Sequence, residues 1–150
     1  MRREQELPEV ADTRGLGRDL AGLLRPGDLV VLVGPLGAGK TALTQGIGEG
    51  LGVREPVTSP TFVIARVHTG GRVPLVHVDA YRLGSVADVD DLDLDASAEE
   101  SVTVVEWGQG LVEQLAEEHL EVRLDRRDDD VRVACLVPHG AGWEARLGHG

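Results

Sequence analysis

The chain has 150 residues, of which 41% are hydrophobic, and a formal net charge of −11 with a pI near 4.8. This length suits one domain with one core, and the acidic balance argues against broad direct contact with a nucleic-acid backbone, which requires basic surface. No apolar run approaches the roughly 20 residues that span a bilayer, and the N-terminus lacks a signal-peptide core, so we expect a cytoplasmic protein without a membrane partner. The single cysteine, Cys135, excludes an internal disulfide and lies in an apolar run, which predicts a core position.

The first predicted element is a helix from a cap at Asp12 or Thr13 to about Leu24, with leucines on one face. We expect residues 1–11 before it, and residues 140–150 at the other end, to be loosely ordered parts of a single domain.

The next stretch carries the strongest motif. Residues 34–41 (GPLGAGKT) fit the phosphate-binding pattern G-x-x-x-x-G-K-[ST], between an apolar strand at 28–33 and a helix at 41–51. Glycines let backbone N–H groups point inward, and the helix N-terminus adds partial positive charge. Lys40, the only lysine in the protein, can bridge the outer phosphates, and the Thr41 hydroxyl can ligate Mg²⁺. The motif therefore predicts a nucleoside triphosphate site.

A segment rich in hydroxyl groups follows at residues 57–62 (VTSPTF). It is either a mobile segment that senses the γ-phosphate or a plain proline turn leading into a strand, and the sequence leaves both open. Residues 62–68 and 73–78 predict two strands joined by a hairpin at 69–72, which makes the sheet mixed.

Two acidic residues end apolar strands. Asp79 is either a Walker-B-like acid or an ordinary aspartate of a turn, and Glu106 follows the strand at 102–105 beside Trp107. The acidic stretch between them, at 84–101, lacks calcium-loop spacing and predicts a solvated face with a short helix. Three of the four aromatic residues lie near these strand ends, which favours a site at the carboxyl edge of an open α/β sheet: Phe62, Tyr81 and Trp107.

The last predicted elements are a helix at 111–118, strands at 120–124 and 131–137, and a tail in which Trp143 and Leu147 can dock. Together the elements predict an α/β fold: a three-layer, P-loop NTPase-like mixed sheet with flanking helices and antiparallel hairpin additions.

The nucleotide follows by elimination. A guanine-reading Asn/Thr-Lys-x-Asp segment cannot exist without a second lysine, so ATP is favoured. A small-molecule kinase stays open as an alternative, although the mid-chain arginines are not in a long glycine-rich lid: Arg66, Arg72 and Arg82. A binding module that does not turn nucleotide over is the third alternative.

The four segments GPLGAGKT, TSPTF, HVDAYRL and VEWG, in this order, resemble the bacterial TsaE family, formerly YjeE. The resemblance runs from about residue 13 to residue 137. It implies a small Mg²⁺-dependent P-loop ATPase with a mixed α/β sheet. Such proteins are needed for the threonylcarbamoyl modification of the adenosine next to the anticodon in tRNAs that read codons starting with A. The implied partner is the TsaB–TsaD complex.

The resemblance also implies roles for individual residues. Lys40, Asp79 and Glu106 would be catalytic, and Thr41 and Glu106 would bind Mg²⁺. The switch-like segment would be Thr58, Ser59 and Thr61. The implied nucleotide contacts are Thr13, Leu36, Gly37, Ala38, Gly39, Lys40, Thr41, Ala42, Thr61, Trp107 and Arg132. The chain departs from the family at Gly108, where proline is common, which bears on the shape of that turn.

Overall fold

The computed structural model describes residues 3–34, 39–53, 65–68, 73–79, 101–106, 118–127 and 131–148. These residues form three helices: α1 (Val10–Ala21), α2 (Lys40–Leu51) and α3 (Ala141–Gly148). They also form seven strands: β1 (Arg3–Leu7), β2 (Leu29–Val33), β3 (Ala65–His68), β4 (Leu75–Asp79), β5 (Val102–Glu106), β6 (His119–Arg126) and β7 (Arg132–His139).

The strands form one sheet in the order β1-β7-β6-β2-β5-β4-β3. Its centre is parallel, because β2 pairs with both β5 and β6 and β4 pairs with β5 in that sense. Both flanks are antiparallel, through β6–β7–β1 on one side and β4–β3 on the other. The predicted mixed α/β sheet is thus confirmed, and β2, which leads into the phosphate-binding motif, lies at its centre.

Alternation along the central strands decides which side chains reach the helices. Val30 and Leu32 of β2 join Val104 of β5 in the core cluster that contains the apolar face of α1 and α2. Strand β5 is buried at all five positions and β2 at four of five, as expected for parallel strands inside a sheet. The carboxyl ends of these strands meet at one edge, directly below the start of α2.

Helices α1 and α2 pack against each other through glycines. A Cβ added to Gly17 would overlap the carbonyl oxygen of Leu43, and one added to Gly46 would overlap the carbonyl oxygen of Arg14. The backbones can approach this closely only without those side chains. At the exposed rim, Arg18 Nη1 lies 2.8 Å from Glu49 Oε2. The contact joins α1 to the last turn of α2.

The N-terminal predictions were wrong in two respects. Residues 3–7 are not loose but form edge strand β1, whose Leu7 is fully buried. Helix α1 begins at Val10, with Glu9 as its N-cap, and the Glu9 backbone N–H donates a 2.9 Å hydrogen bond to Asp12 Oδ2. Thr13 is therefore not a cap; it lies inside the helix and faces inward.

The C-terminal end is also more ordered than predicted. Helix α3 docks through Trp143, which is 2% exposed. Arg146 covers the indole with its guanidinium carbon 4.4 Å from the ring centroid, and its Nη1 lies 2.6 Å from Asp28 Oδ2. The side chain of Leu147 and residues 149–150 lie outside the described residues.

The predicted core position of Cys135 was also wrong, because this residue lies on the sheet face opposite α1 and α2. Ala134 and Leu136 of β7 are buried in the core, so alternation turns Cys135 to the other face, where it is partly exposed and not a core residue. On that face the buried Glu121 accepts a 2.6 Å hydrogen bond from Arg123 Nε, which raises the pKa of the guanidinium. The short helix predicted within 84–101 and the helix predicted at 111–118 lie outside the described residues, apart from Ser101 and Glu118. Within the described helices, none has the length and apolar character to cross a membrane.

Candidate nucleotide-binding site

The phosphate-binding motif joins the end of β2 to the start of α2. Gly39, the N-cap of α2, has φ of 103°, a left-handed conformation that side-chain-bearing residues rarely adopt. Its carbonyl oxygen accepts the first helical hydrogen bond, from Leu43 N at 2.9 Å. The backbone therefore requires glycine here for a reason visible in the structure. Residues 35–38, which include Leu36, Gly37 and Ala38, lie outside the described part of the chain.

Lys40 reaches back across the mouth of the loop. Its ammonium donates a 2.7 Å hydrogen bond to the Gly34 carbonyl oxygen, and the residue is only 7% exposed. Thr41 and Ala42, both partly buried, continue the first turn of α2, which carries no acidic side chain. The partial positive charge of the helix N-terminus and the charge of the ammonium thus add at the same place, which is an arrangement that attracts a phosphate group.

Two residues from distant parts of the chain border Gly39. A Cβ placed on Gly39 would lie 3.4 Å from Thr13 Cγ2 and 3.6 Å from Arg132 Cδ. Thr13 is fully buried, and its hydroxyl has no hydrogen-bond partner among the described residues. Because a buried hydroxyl without a partner is costly, this one suits a ligand oxygen. The structure thus brings together Thr13, Arg132 and the phosphate-binding motif, as the resemblance implies, and these residues fit a nucleotide.

The carboxyl edge of the sheet adds the acids. Asp79 and Glu106 are partners in register at the ends of β4 and β5, and Glu106 is also opposite Leu32 of β2. The carboxyl group of Glu106 is buried, with Oε1 3.7 Å from His77 Nε2. The side chain of Asp79 lies outside the described residues. Where side chains are described, no group of three or more His, Cys, Asp or Glu forms a metal cage.

A hydroxyl on the first turn of α2 and a carboxylate at the adjacent strand edge are oxygen ligands of the kind that Mg²⁺ uses together with substrate phosphates. Thr41 and Glu106 therefore have the oxygen-ligand chemistry that the predicted metal site requires, and Glu106 ends a strand that pairs with β2. Thr58, Ser59, Thr61 and Trp107 lie outside the described residues, so their roles stay predictions.

Sequence reasoning missed His77. It lies on the same strand face as the buried Leu75 and two residues before Asp79, and it is fully buried. The alternation of β4 was enough to place it on the face toward the site, because residues two apart on a strand share a face.

The mixed sheet has a parallel centre, and its central strand leads through a glycine loop into a helix that begins with a lysine, with acids at nearby strand ends. These features define a P-loop nucleotide-binding protein of the α/β class. A model of the family described as "Threonylcarbamoyl adenosine biosynthesis protein TsaE" matches residues 7–134. The chain belongs to the TsaE family.

Individual relatives agree with this assignment. A curated relative from Streptomyces coelicolor, named tRNA threonylcarbamoyladenosine biosynthesis protein TsaE, is 60% identical, with 87% of this chain and 93% of the relative covered. A relative of the same name from Bacillus subtilis is 38% identical over 89% of this chain and 84% of its own. The crystal structure of Bacillus subtilis YdiB matches with a TM-score of 0.84 at 32% identity, and covers 99% of this chain and 93% of that chain.

Proposed function

We propose that this protein is a Mg²⁺-dependent ATPase that serves the threonylcarbamoyl modification of tRNA in the cytoplasm. The observation that carries the proposal is the Lys40 ammonium, held 2.7 Å from the Gly34 carbonyl at the N-terminus of α2. The buried Glu106 carboxylate ends a strand adjacent to β2. The pathway comes from the family and from the printed names of the relatives, which describe tRNA threonylcarbamoyladenosine biosynthesis.

The chain's own residues supply binding and positioning. Lys40 exchanges its bond to Gly34 for the outer phosphates, while backbone N–H groups of Thr41 and Ala42 face the same anion. Thr13 offers its hydroxyl, and Arg132 offers its guanidinium, to the nucleotide beside Gly39. Asp79 and Glu106 hold the metal side of the site and orient the attacking water.

The proposed reaction is in-line hydrolysis of ATP. The water oxygen forms a bond to the γ-phosphorus as the bond to the bridging β–γ oxygen breaks, and ADP and inorganic phosphate leave. Mg²⁺, held by Thr41 and Glu106, supplies charge neutralisation when bound. Positioning and charge stabilisation provide the catalysis, because the protein forms no covalent intermediate.

The proposed partner is the TsaB–TsaD complex. With a net charge of −11, the chain is poorly suited to bind tRNA directly, so the contact with tRNA is best made through proteins that hold it. We expect slow ATP hydrolysis by the isolated chain, faster hydrolysis in the presence of TsaB–TsaD, and little affinity for free tRNA.

The test measures ATP hydrolysis with and without TsaB–TsaD for the wild type, Lys40→Ala and Glu106→Gln. Glu49→Gln is the control, because this carboxylate is in an exposed ion pair at the C-terminal end of α2, away from the phosphate-binding motif. Loss of Lys40 removes a phosphate contact, so ATP affinity and rate both fall. Loss of the Glu106 charge lowers the rate by about 100-fold or more, while ADP affinity without Mg²⁺ is kept.

Normal hydrolysis by either site variant contradicts this mechanism. Phosphoryl transfer to an added metabolite without a protein partner would instead support a small-molecule kinase. Tight ATP binding with no turnover in any condition, and with partner binding that survives loss of Glu106, would support a nucleotide-dependent binding module.

A further inference from the structure

The histidine beside Glu106 is placed unusually for a residue of a buried strand. His77 is fully buried in the middle of β4, on the face that α2 covers, between the core residue Leu75 and the strand end. Its register partner on β5 is Val104, so Glu106 is its diagonal neighbour on the same face. An aliphatic residue would fill this position without a polar group.

Both ring nitrogens of His77 lack a hydrogen-bond partner within the described part of the chain. A neutral imidazole has one N–H donor and one acceptor nitrogen, and a protonated imidazole has two donors. In either state, both hydrogen-bonding groups of the buried ring are unsatisfied by the described residues. Buried polar groups of this kind are rare in native proteins, and each demands an explanation such as a functional role. The Glu106 carboxylate faces the ring, with Oε1 3.7 Å from Nε2.

We propose that His77 is the positioning residue of Glu106: it donates Nε2–H to Oε1 and leaves Oε2 directed at the metal. This inference rests on the proposed function in one respect, namely that Glu106 is the carboxylate that serves Mg²⁺. At 3.7 Å the contact is too long for a hydrogen bond, and a shift of roughly 0.8 Å closes it to the usual length.

The arrangement gives each carboxylate oxygen a separate task. A carboxylate that ligates a metal through one oxygen is usually held by a hydrogen bond to the other, which fixes its plane and orientation. His77 can do this because diagonal neighbours on one sheet face lie within reach of long side chains. Glu106 has no backbone freedom to reorient instead, since its strand pairs with β2 on one side and β4 on the other.

The experiment compares His77→Leu, His77→Gln, His77→Asn, Glu106→Gln and the double variant His77→Leu/Glu106→Gln. A glutamine amide can reach the position of Nε2, whereas an asparagine amide reaches only that of Nδ1. His119→Leu is the matched control, because His119 is also a buried histidine but stacks on His139, away from the site. The primary measurement is the Mg²⁺ affinity of the ADP-bound protein, followed with a fluorescent ADP analogue.

We expect His77→Leu to weaken Mg²⁺ binding by about 10-fold or more, with ADP affinity in EDTA unchanged within about twofold. His77→Gln should restore most of the affinity and His77→Asn should not. The double variant should bind Mg²⁺ no more weakly than Glu106→Gln alone, and His119→Leu should match the wild type.

A His77→Leu protein with wild-type Mg²⁺ affinity overturns the inference, as do additive losses in the double variant. If His77→Leu does not fold, equal Mg²⁺ affinities of the Gln and Asn variants overturn it instead. ATP hydrolysis is measured separately on the same proteins. A wild type that does not hydrolyse ATP but shows coupled His77 and Glu106 effects on Mg²⁺ binding refutes the proposed function and leaves the positioning role intact.

Discussion

The close packing of α1 against α2 can be tested with two glycines of α1, because an added Cβ would contact different atoms at each. A Cβ on Gly17 would overlap Leu43 O and lie 2.7 Å from Ile47 N, and both are backbone atoms that cannot rotate away. A Cβ on Gly15 would meet nothing closer than Arg18 Nη2 at 3.7 Å. Gly17→Ala and Gly15→Ala are therefore a perturbation and its matched control.

The magnitude follows from two opposing effects. Alanine is favoured over glycine in a helix interior by about 1 kcal/mol, and this gain is common to both variants. Only Gly17→Ala carries the cost of overpacking, about 1–3 kcal/mol. Ordinary contact begins near 3.4 Å, so relief of the Ile47 contact alone requires α1 to retreat by about 0.7 Å. We expect Gly15→Ala to stabilise the protein and Gly17→Ala to be less stable than it by about 1–3 kcal/mol.

Urea unfolding followed by circular dichroism measures the difference, and thermal unfolding should show a gap of roughly 3–10 °C for a domain of this size. ATP affinity is the second readout. Retreat of α1 moves Thr13 away from Gly39, so Gly17→Ala should also bind ATP several-fold more weakly, while Gly15→Ala should not. Equal stabilities of the two variants would refute the packing argument, and a stability loss without an affinity loss would refute the link from α1 to the site.

Two further predictions concern single side chains. Thr13→Val keeps the shape of the side chain but removes the unpartnered hydroxyl. Calorimetry should show an ATP affinity lower by about 2- to 10-fold, and urea unfolding should show a stability that is unchanged or higher. An unaltered affinity would exclude the proposed contact. Arg146→Met removes the largely buried pair with Asp28 and should destabilise by about 2 kcal/mol. Arg127→Met, which breaks the exposed pair with Glu6, should cost less than about 1 kcal/mol, and equal losses would contradict the ranking.

The parts of the fold that the sequence predicted well are those determined by neighbours in the chain. The strand at 28–33 and the helix at 41–51 follow from local periodicity around one motif, and the structure places them at 29–33 and 40–51. The hairpin expected between 68 and 73 is confirmed in its antiparallel pairing of β3 with β4. Local pattern also located Glu106 at a strand end.

The missed elements depend on contacts between distant residues. Strand β1 (REQEL) is polar except for Leu7, so no alternation marks it, and it exists through its backbone pairing with β7. Helix α3 is held by the bond between Arg146 and Asp28, 118 positions apart. Cys135 was misplaced because an apolar run does not tell which of its residues face the helices. The capping of α1 by Glu9 was missed because glutamate is not among the preferred caps.

Substitutions at the unsatisfied buried groups near the phosphate-binding motif and at the glycine contact between α1 and α2 should have opposite effects on stability. Thr13 Oγ1 and the His77 ring are buried without partners among the described residues, at a cost of about 1–3 kcal/mol for each unsatisfied group. This cost is large beside the 5–15 kcal/mol of total stability that is typical of a domain. Replacing either side chain with an apolar one should therefore raise stability and weaken binding, as expected where structure is arranged for a ligand. Gly17→Ala should lower nucleotide binding, and should lower stability relative to Gly15→Ala, because it damages the support of the site. A set of variants that failed to separate in this way would show that these buried polar groups serve packing and not the nucleotide.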